Sequence, residues 1–387
     1  MKVEELCAVL CSYKSLSGKE KDAADYLLQL FEDLHYDEYY TDQYGSVTGC
    51  IRGNRPGPKV LFDSHIDVVD VPDPAKWKKD PFGITVEDGR VYGRGATDMK
   101  GALAAVITAM DEYVKENGHN FSGEIYVTGD VHEECFEGIA ARLISKTVKP
   151  DYVIICEPCN CNLAYGQRGR AEVLLETFGK PAHSSVPQYG INAVTSMRKL
   201  LDEIDKLPVE HDEDLGDRIL VLTDFISSPY PGASVVPEYC KVSLDARILV
   251  GDTTDILLNP IREVIHRLEK EDESFHAKVS LAYGEEKCYT GAVIEGKRFF
   301  PAWKTDKEEE WVQKIKTQMD TDGVCPDYEC FHGCTNGSHY GGEAGYPIIG
   351  FGPSDGAHCH QIDEHTHIEW LLRAQKGYQS IVKALLG

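Results

Sequence analysis

The acidic and imidazole side chains of this chain are distributed in a way that limits how it can fold. His65, Asp98, Glu134 and Glu157 each end a short apolar run or open a loop, while His360 lies near the other end of the sequence. Between Glu157 and His360 the apolar periodicity reads as a strand at 171–178, a helix at 192–207, strands at 219–226 and 239–249, a helix at 254–270 and a strand at 278–283. This βαββαβ order describes a separate ferredoxin-like unit. If His360 is to join the earlier residues, the main domain has to be discontinuous, with residues 1–166 and 285–387 forming one body and 167–284 inserted as another.

The flanking segments support an α/β body. Apolar residues at Leu6, Val9 and Leu10, and again at Ala23, Tyr26, Leu27, Leu30, Phe31 and Leu34, recur at helical spacing, with Ser17-Gly18 separating the two helices. Strands follow at 47–51, 59–62, 124–128 and 152–155, interleaved with helices at 99–113 and 139–145. The tail returns to a helix at 307–319, a strand at 348–351 and a helix at 368–386. Such alternation predicts a sheet covered by helices on both faces.

Charge excludes some partners. With 64 acidic against 40 basic residues, a formal net charge of −24, the chain is ill suited to nucleic acid or to an anionic membrane surface. The opening residues carry no charged-apolar-small leader and no apolar run is long enough to span a bilayer, so a cytoplasmic protein is expected. Thirteen cysteines, an odd number, suit reduced thiols in such a compartment. Cys156, Cys159 and Cys161, and Cys325, Cys330 and Cys334 beside His332, form two groups that lack the two Cys-x-x-Cys pairs of a zinc ribbon. His358, His365 and His367 read as supporting or solvated side chains rather than ligands.

The five residues together suggest a two-metal centre, which needs terminal ligands on each ion and a carboxylate to bridge them. His65 and Asp67 stand two apart after Val60-Leu61-Phe62, so a strand places both on one face and Asp67 is positioned to orient the imidazole. Asp98, in a glycine-rich segment before a helix, is the bridging candidate, although the same position suits a helix N-cap. Of Glu133 and Glu134, which follow the strand at 124–128, Glu134 is expected to bind metal and Glu133 to act as general base. Taken singly, a His-x-Asp pair or a His-Glu-Glu triplet is a weak signal; the ordered set carries the reading.

The runs Asp63-Ser64-His65-Ile66-Asp67-Val68-Val69, Gly93-Arg94-Gly95-Ala96-Thr97-Asp98-Met99-Lys100-Gly101, His132-Glu133-Glu134, Cys156-Glu157-Pro158 and His360-Gln361-Ile362-Asp363-Glu364 resemble the zinc amidohydrolases of the acetylornithine deacetylase, succinyl-diaminopimelate desuccinylase and carboxypeptidase group. The resemblance spans essentially the whole chain. Gly166-Gln167-Arg168-Gly169-Arg170 and Cys334-Thr335-Asn336-Gly337 look most like its YgeY branch. It implies a zinc-exopeptidase-like catalytic domain, with a mixed sheet flanked by helices, and an inserted lid or dimerisation domain. It also implies one zinc on His65, Asp98 and Glu157, a second on Asp98, Glu134 and His360, and a cis peptide at Asp98-Met99; cobalt or manganese would suit the same ligands.

By the same resemblance, His183 polarises the scissile carbonyl across a homodimer interface, and Arg247 grips a substrate carboxylate. Thr335 and Asn336 would line the pocket, although Gly-Cys-Thr-Asn-Gly reads equally as a turn. Arg247 reads equally as a strand-surface ion pair. Ser234 stands where many relatives have asparagine. The implied activity is hydrolysis of a linear amide in a small carboxylate-bearing molecule, an N-acyl amino acid or short peptide. N-carbamoyl or ureide hydrolysis, or an inactive metal-binding scaffold, are the alternatives.

Overall fold

A computed structural model describes all 387 residues. The chain divides into two compact units, Met1–Gln167 with Glu285–Glu295 and Trp303–Gly387 in the first, and Arg168–Gly284 with Gly296–Ala302 in the second. The short Gly296–Ala302 return lies past the expected boundary at residue 284 and adds Phe299 and Phe300 as an edge pairing opposite Ala171 and Arg170.

The first unit is built on a nine-stranded mixed sheet. Four neighbouring strands at its centre run parallel, in the order Ser122–Gly129, Arg55–Asp63, Tyr152–Ile155 and Ile348–Gly350. Val60, Leu61, Phe62, Val153, Ile154 and Ile349 are all fully buried, as expected of parallel strands covered on both faces. The helices Val3–Ser12, Lys100–Asn117 and Ile368–Leu386 pack on one another, and the middle one is buried continuously from Lys100 to Met110. None of the helices is long and apolar enough to cross a membrane.

The second unit is the βαββαβ arrangement with one added edge. Its strands Gly169–Phe178, Ile219–Ser228, Tyr239–Ile248 and His276–Leu281 are antiparallel and lie in spatial order second, third, first, fourth. Burial alternates along Gly169–Phe178 and Tyr239–Ile248, so only one face is covered. That face, with Val173, Leu175, Val242 and Leu244, packs against Met197 and Leu200 of the helix Ala193–Ile204 and Ile261 and Leu268 of the helix Thr254–Glu271. Asn192 Oδ1 starts the first helix by accepting from the Val194 and Thr195 amides, and Thr253 Oγ1 starts the second by accepting from Ile256 N.

The last helix meets the sheet without a gap. Phe351 is fully buried, its ring centroid 5.3 Å from that of Tyr378, whose hydroxyl donates to the Phe351 carbonyl at 3.0 Å. A Cβ on Gly377 would fall 2.2 Å from Phe351 Cζ. Alanine is favoured over glycine inside a helix by about 1 kcal/mol, but overpacking a filled core costs about 1 to 3 kcal/mol. The clash outweighs the propensity: Gly377→Ala is expected to lower unfolding stability in urea denaturation, and a more stable variant would show that this contact yields easily.

Candidate metal centre

The four parallel strands end on the same edge of the sheet, where ligands gather in open α/β sheets. His65 follows Arg55–Asp63, Glu133 and Glu134 follow Ser122–Gly129, Glu157 follows Tyr152–Ile155, and the loop after Ile348–Gly350 leads to His360. Backbone bonds bind the first two exits together, from Asp130 N to Ser64 O at 2.7 Å and from Ile66 N to Asp130 O at 2.8 Å. Asp98 enters from the loop before Lys100–Asn117, through an Asp98-Met99 peptide that is cis.

These exits bring the side chains into two groups that share one member. His65, Asp98 and Glu157 form one, and Asp98, Glu134 and His360 form the other, with the ligand atoms of each group within 4.8 Å of one another. The two groups use different oxygens of the shared carboxylate: Oδ1 lies 3.1 Å from His65 Nε2, and Oδ2 lies 3.3 Å from His360 Nε2. Glu157 Oε1 is 3.5 Å from His65 Nε2, and Glu134 Oε2 is 3.0 Å from His360 Nε2. Two ligand atoms about 2.1 Å from a tetrahedral ion stand roughly 3.4 Å apart, so the spacing suits one cation in each group. Glu133 closes the site, with its Oε2 3.8 Å from His65 Nε2.

Comparison with known proteins gives the family. Residues 61–384 match the model of peptidase family M20/M25/M40. The chain belongs to that family. It is a metallohydrolase that acts on amide or peptide bonds. Its sequence is 30% identical over 374 residues to the YgeY protein of Escherichia coli (strain K12), covering 95% of this chain and 90% of that one. It is 26% identical over 392 residues to a succinyl-diaminopimelate desuccinylase of Cereibacter sphaeroides (strain ATCC 17025 / ATH 2.4.3), covering 98% and 97%. Among solved structures, the aminopeptidase PepT of Bacillus cereus ATCC 10987 superposes with a TM-score of 0.77 at 19% identity, over 100% of this chain and 99% of that one.

The M20 centre concentrates buried negative charge. Burial and the neighbouring Asp98 carboxylate push Glu134 up to about 8 and Glu157 up to about 7. Burial likewise pushes Glu133 well above the carboxylate range, against the opposing pull of His65. Burial alone would raise Asp98, yet the hydrogen bonds from His360 and His65 hold it well below its usual value. The same bonds, to Asp98 and Glu134, raise His360 to about 10. Glu133 Oε1 and Glu134 Oε1 are buried with no hydrogen-bond partner. Acids this crowded, with unpartnered oxygens, fit a site that holds divalent cations.

Asp67 is fully buried beside His65, but its carboxylate faces the neighbouring turn. Oδ2 accepts from Ser17 Oγ at 2.6 Å and Glu134 N at 3.2 Å, while Oδ1 accepts from Glu133 N at 3.1 Å. The His65 Nδ1 bond goes to the Asp67 backbone carbonyl at 2.9 Å, with the carboxylate at 3.5 Å. Asp67 therefore shapes the Glu133-Glu134 turn as well as the imidazole. Thr335 Oγ1 donates to Gln167 Oε1 at 2.7 Å. Asn336, expected on a pocket wall, is engaged internally: Oδ1 accepts from Gly138 N at 2.7 Å, and Nδ2 donates to Asp63 Oδ1 at 3.2 Å and Asp130 Oδ2 at 3.0 Å. The sequence reading gave no role to Asp63 and Asp130, although charged residues closing apolar strands were a visible signal.

In the second unit, His183 is exposed and its Nδ1 accepts from Ser185 N at 3.1 Å and lies 2.7 Å from Ser185 Oγ. An amide only donates, so the neutral ring carries its proton on Nε2. Arg247 Nη2 donates to Asp245 Oδ2 at 3.3 Å and remains partly exposed. No disulfide joins any of the thirteen cysteines, and neither candidate metal group contains one. Cys156, Cys159 and Cys161 bond to backbone carbonyls, and burial raises the Cys161 thiol to about 12.

Because Asp98 belongs to both groups, its loss should affect both. Elemental analysis after dialysis against zinc is expected to give two equivalents for the unaltered chain and fewer than one for Asp98→Ala, with Glu157→Ala and His360→Ala each retaining about one. Two equivalents on Asp98→Ala would show that the groups act independently.

Proposed function

We propose that this chain is a di-zinc hydrolase, with cobalt or manganese as substitutes, that cleaves a linear amide in a small carboxylate-bearing substrate, either an N-acyl amino acid or a short peptide. The observation that carries the reading is the shared Asp98 carboxylate, one oxygen toward each ligand group, with Glu133 beside His65. A solved relative of 13% identity and TM-score 0.72, the Bacillus subtilis YXEP protein, bears the description of a dinuclear metal binding peptidase. His65, Asp98 and Glu157 would hold one ion, and Asp98, Glu134 and His360 the other. Bound there, the pair would acidify water and polarise a carbonyl oxygen.

The side chains move the protons. Glu133 takes one from the attacking water and returns it to the leaving nitrogen, a role suited to a carboxylate that burial makes more basic than usual. His183, with Nε2–H free to donate, stabilises the negative charge on the carbonyl oxygen. Arg247 holds the substrate carboxylate through paired N–H donors, and Thr335, bonded to Gln167 and Gly337, supports the turn rather than touching substrate. Asn336 acts through Asp63 and Asp130. Residues 167–284 are read as the lid and dimerisation domain, and thirteen cysteines without a disulfide suit a cytoplasmic, reducing setting.

A homodimer is part of this reading. The edge strand Ile219–Ser228 leaves one backbone side unpaired and exposes Val221, Leu222, Phe225 and Ile226, with Ile226 58% exposed. Such an edge needs covering. Phe225→Lys with Ile226→Glu is expected to convert the dimer to a monomer in analytical ultracentrifugation; an unchanged dimer would place the interface elsewhere.

The chemistry is tested by Glu133→Gln, assayed against N-acyl amino acids, N-carbamoyl amino acids and dipeptides. Losing a general base lowers turnover by about a hundredfold or more. The expected result is that loss on the one series the unaltered enzyme cleaves, with both metal equivalents retained. Undiminished turnover would remove Glu133 from the mechanism, and ammonia release from the carbamoyl series alone would favour the ureide alternative.

A further inference from the structure

Glu364 follows His360 by four residues and is buried to 1% exposure. One oxygen, Oε1, accepts three backbone N–H groups of the glycine-rich loop, from Gly95 at 3.0 Å, Thr97 at 3.0 Å and Asp98 at 3.2 Å. Oε2 accepts from Arg94 Nη1, whose guanidinium lies 5.3 Å from the centre of the Trp77 ring. The loop folds around the carboxylate as a nest of amides around an anion, helped by Gly95 at φ +88. Two more bonds bind the same segments, from Gly93 N to the Glu364 carbonyl at 3.0 Å and from Thr97 Oγ1 to the His365 carbonyl at 2.8 Å.

The consequence falls on Asp98. Its two oxygens serve different ligand groups, so a small rotation of its backbone would spoil both at once. The Asp98 amide is itself one of the three held by Glu364, and His360 is carried on the strip of chain that delivers Glu364. With both of its oxygens engaged, Glu364 is not a further ligand.

Resting on the two-metal reading above, we propose that Glu364 is a positioning residue that fixes the bridging orientation of Asp98 and links it to the His360 segment, and thereby sets the affinity of both ions. Acceptance of the three amides by the carboxylate Oε1 does this work, while the Arg94 ion pair contributes to stability.

Three variants separate these roles, each read by chelator competition for zinc, by thermal unfolding and by the visible spectrum of the cobalt-loaded protein. Glu364→Asp keeps the charge but withdraws the oxygen by one methylene. It is expected to weaken retention of both ions at least tenfold, within the range typical of lost support behind a metal ligand, and to shift the cobalt bands. Glu364→Gln keeps an acceptor for the three amides and is expected to stay within about threefold of the unaltered protein. Arg94→Met is expected to lower the melting temperature with metal retention and cobalt spectrum unchanged. The inference is overturned if Glu364→Asp holds both ions as the unaltered chain does, or if Glu364→Asp and Arg94→Met lose metal in proportion to their loss of thermal stability. An unaltered chain that binds no ion pair would overturn the two-metal reading and this inference with it.

Discussion

The structure depends on one shared carboxylate. Asp98 turns Oδ1 toward His65 and Oδ2 toward His360, and around it the side chains of Glu133, Glu134 and Glu157 are largely held out of water. Each buried, uncompensated charge costs several kcal/mol. The upward push on three of these acids comes from burial and from one another's charge, and the high value of His360 from its bonds to Asp98 and Glu134. Positive charge brought to this position would relieve the repulsion, which is why the metallohydrolase family and the local electrostatics point the same way.

Sheet topology makes the convergence possible. Four adjacent strands running in one direction put four loops on one edge, and the backbone bonds between Asp130 and the Ser64-Ile66 segment hold two of those loops in register. The second unit has its own core, from Val173 and Leu175 to Ile261 and Leu268. Its insertion between Glu157 and the Ile348–Gly350 strand therefore leaves the parallel pairing of that strand with Tyr152–Ile155 intact.

Much of this was legible because apolar runs and candidate ligands alternate in the chain. Val60-Leu61-Phe62 before His65, and Tyr152-Val153-Ile154-Ile155 before Glu157, announce both a buried strand and the residue at its end. The strand Leu163–Gln167 escaped because Leu-Ala-Tyr-Gly-Gln has no alternation, and its burial comes from neighbours on both sides. The return of Phe299 and Phe300 to the second unit was also invisible, since two residues carry no period. Site chemistry followed the same division. The candidate ligands that follow strands were named while Asp63 and Asp130 were not, and the bonding of Asp67, Asn336 and Glu364 depends on which amides and hydroxyls lie opposite, which is set by contacts distant in sequence. Asn336 shows the limit well: its sequence context suggests a turn or a pocket wall, and only the fold reveals that its amide bridges two buried aspartates.

The central claim is that two cations share the Asp98 carboxylate. Anomalous diffraction from crystals grown with zinc, recorded on either side of the zinc absorption edge, tests it directly. Two peaks roughly 3.5 to 4 Å apart, one on each side of Asp98, are expected. A single peak, or peaks at the cysteine groups with none beside Asp98, would contradict the account.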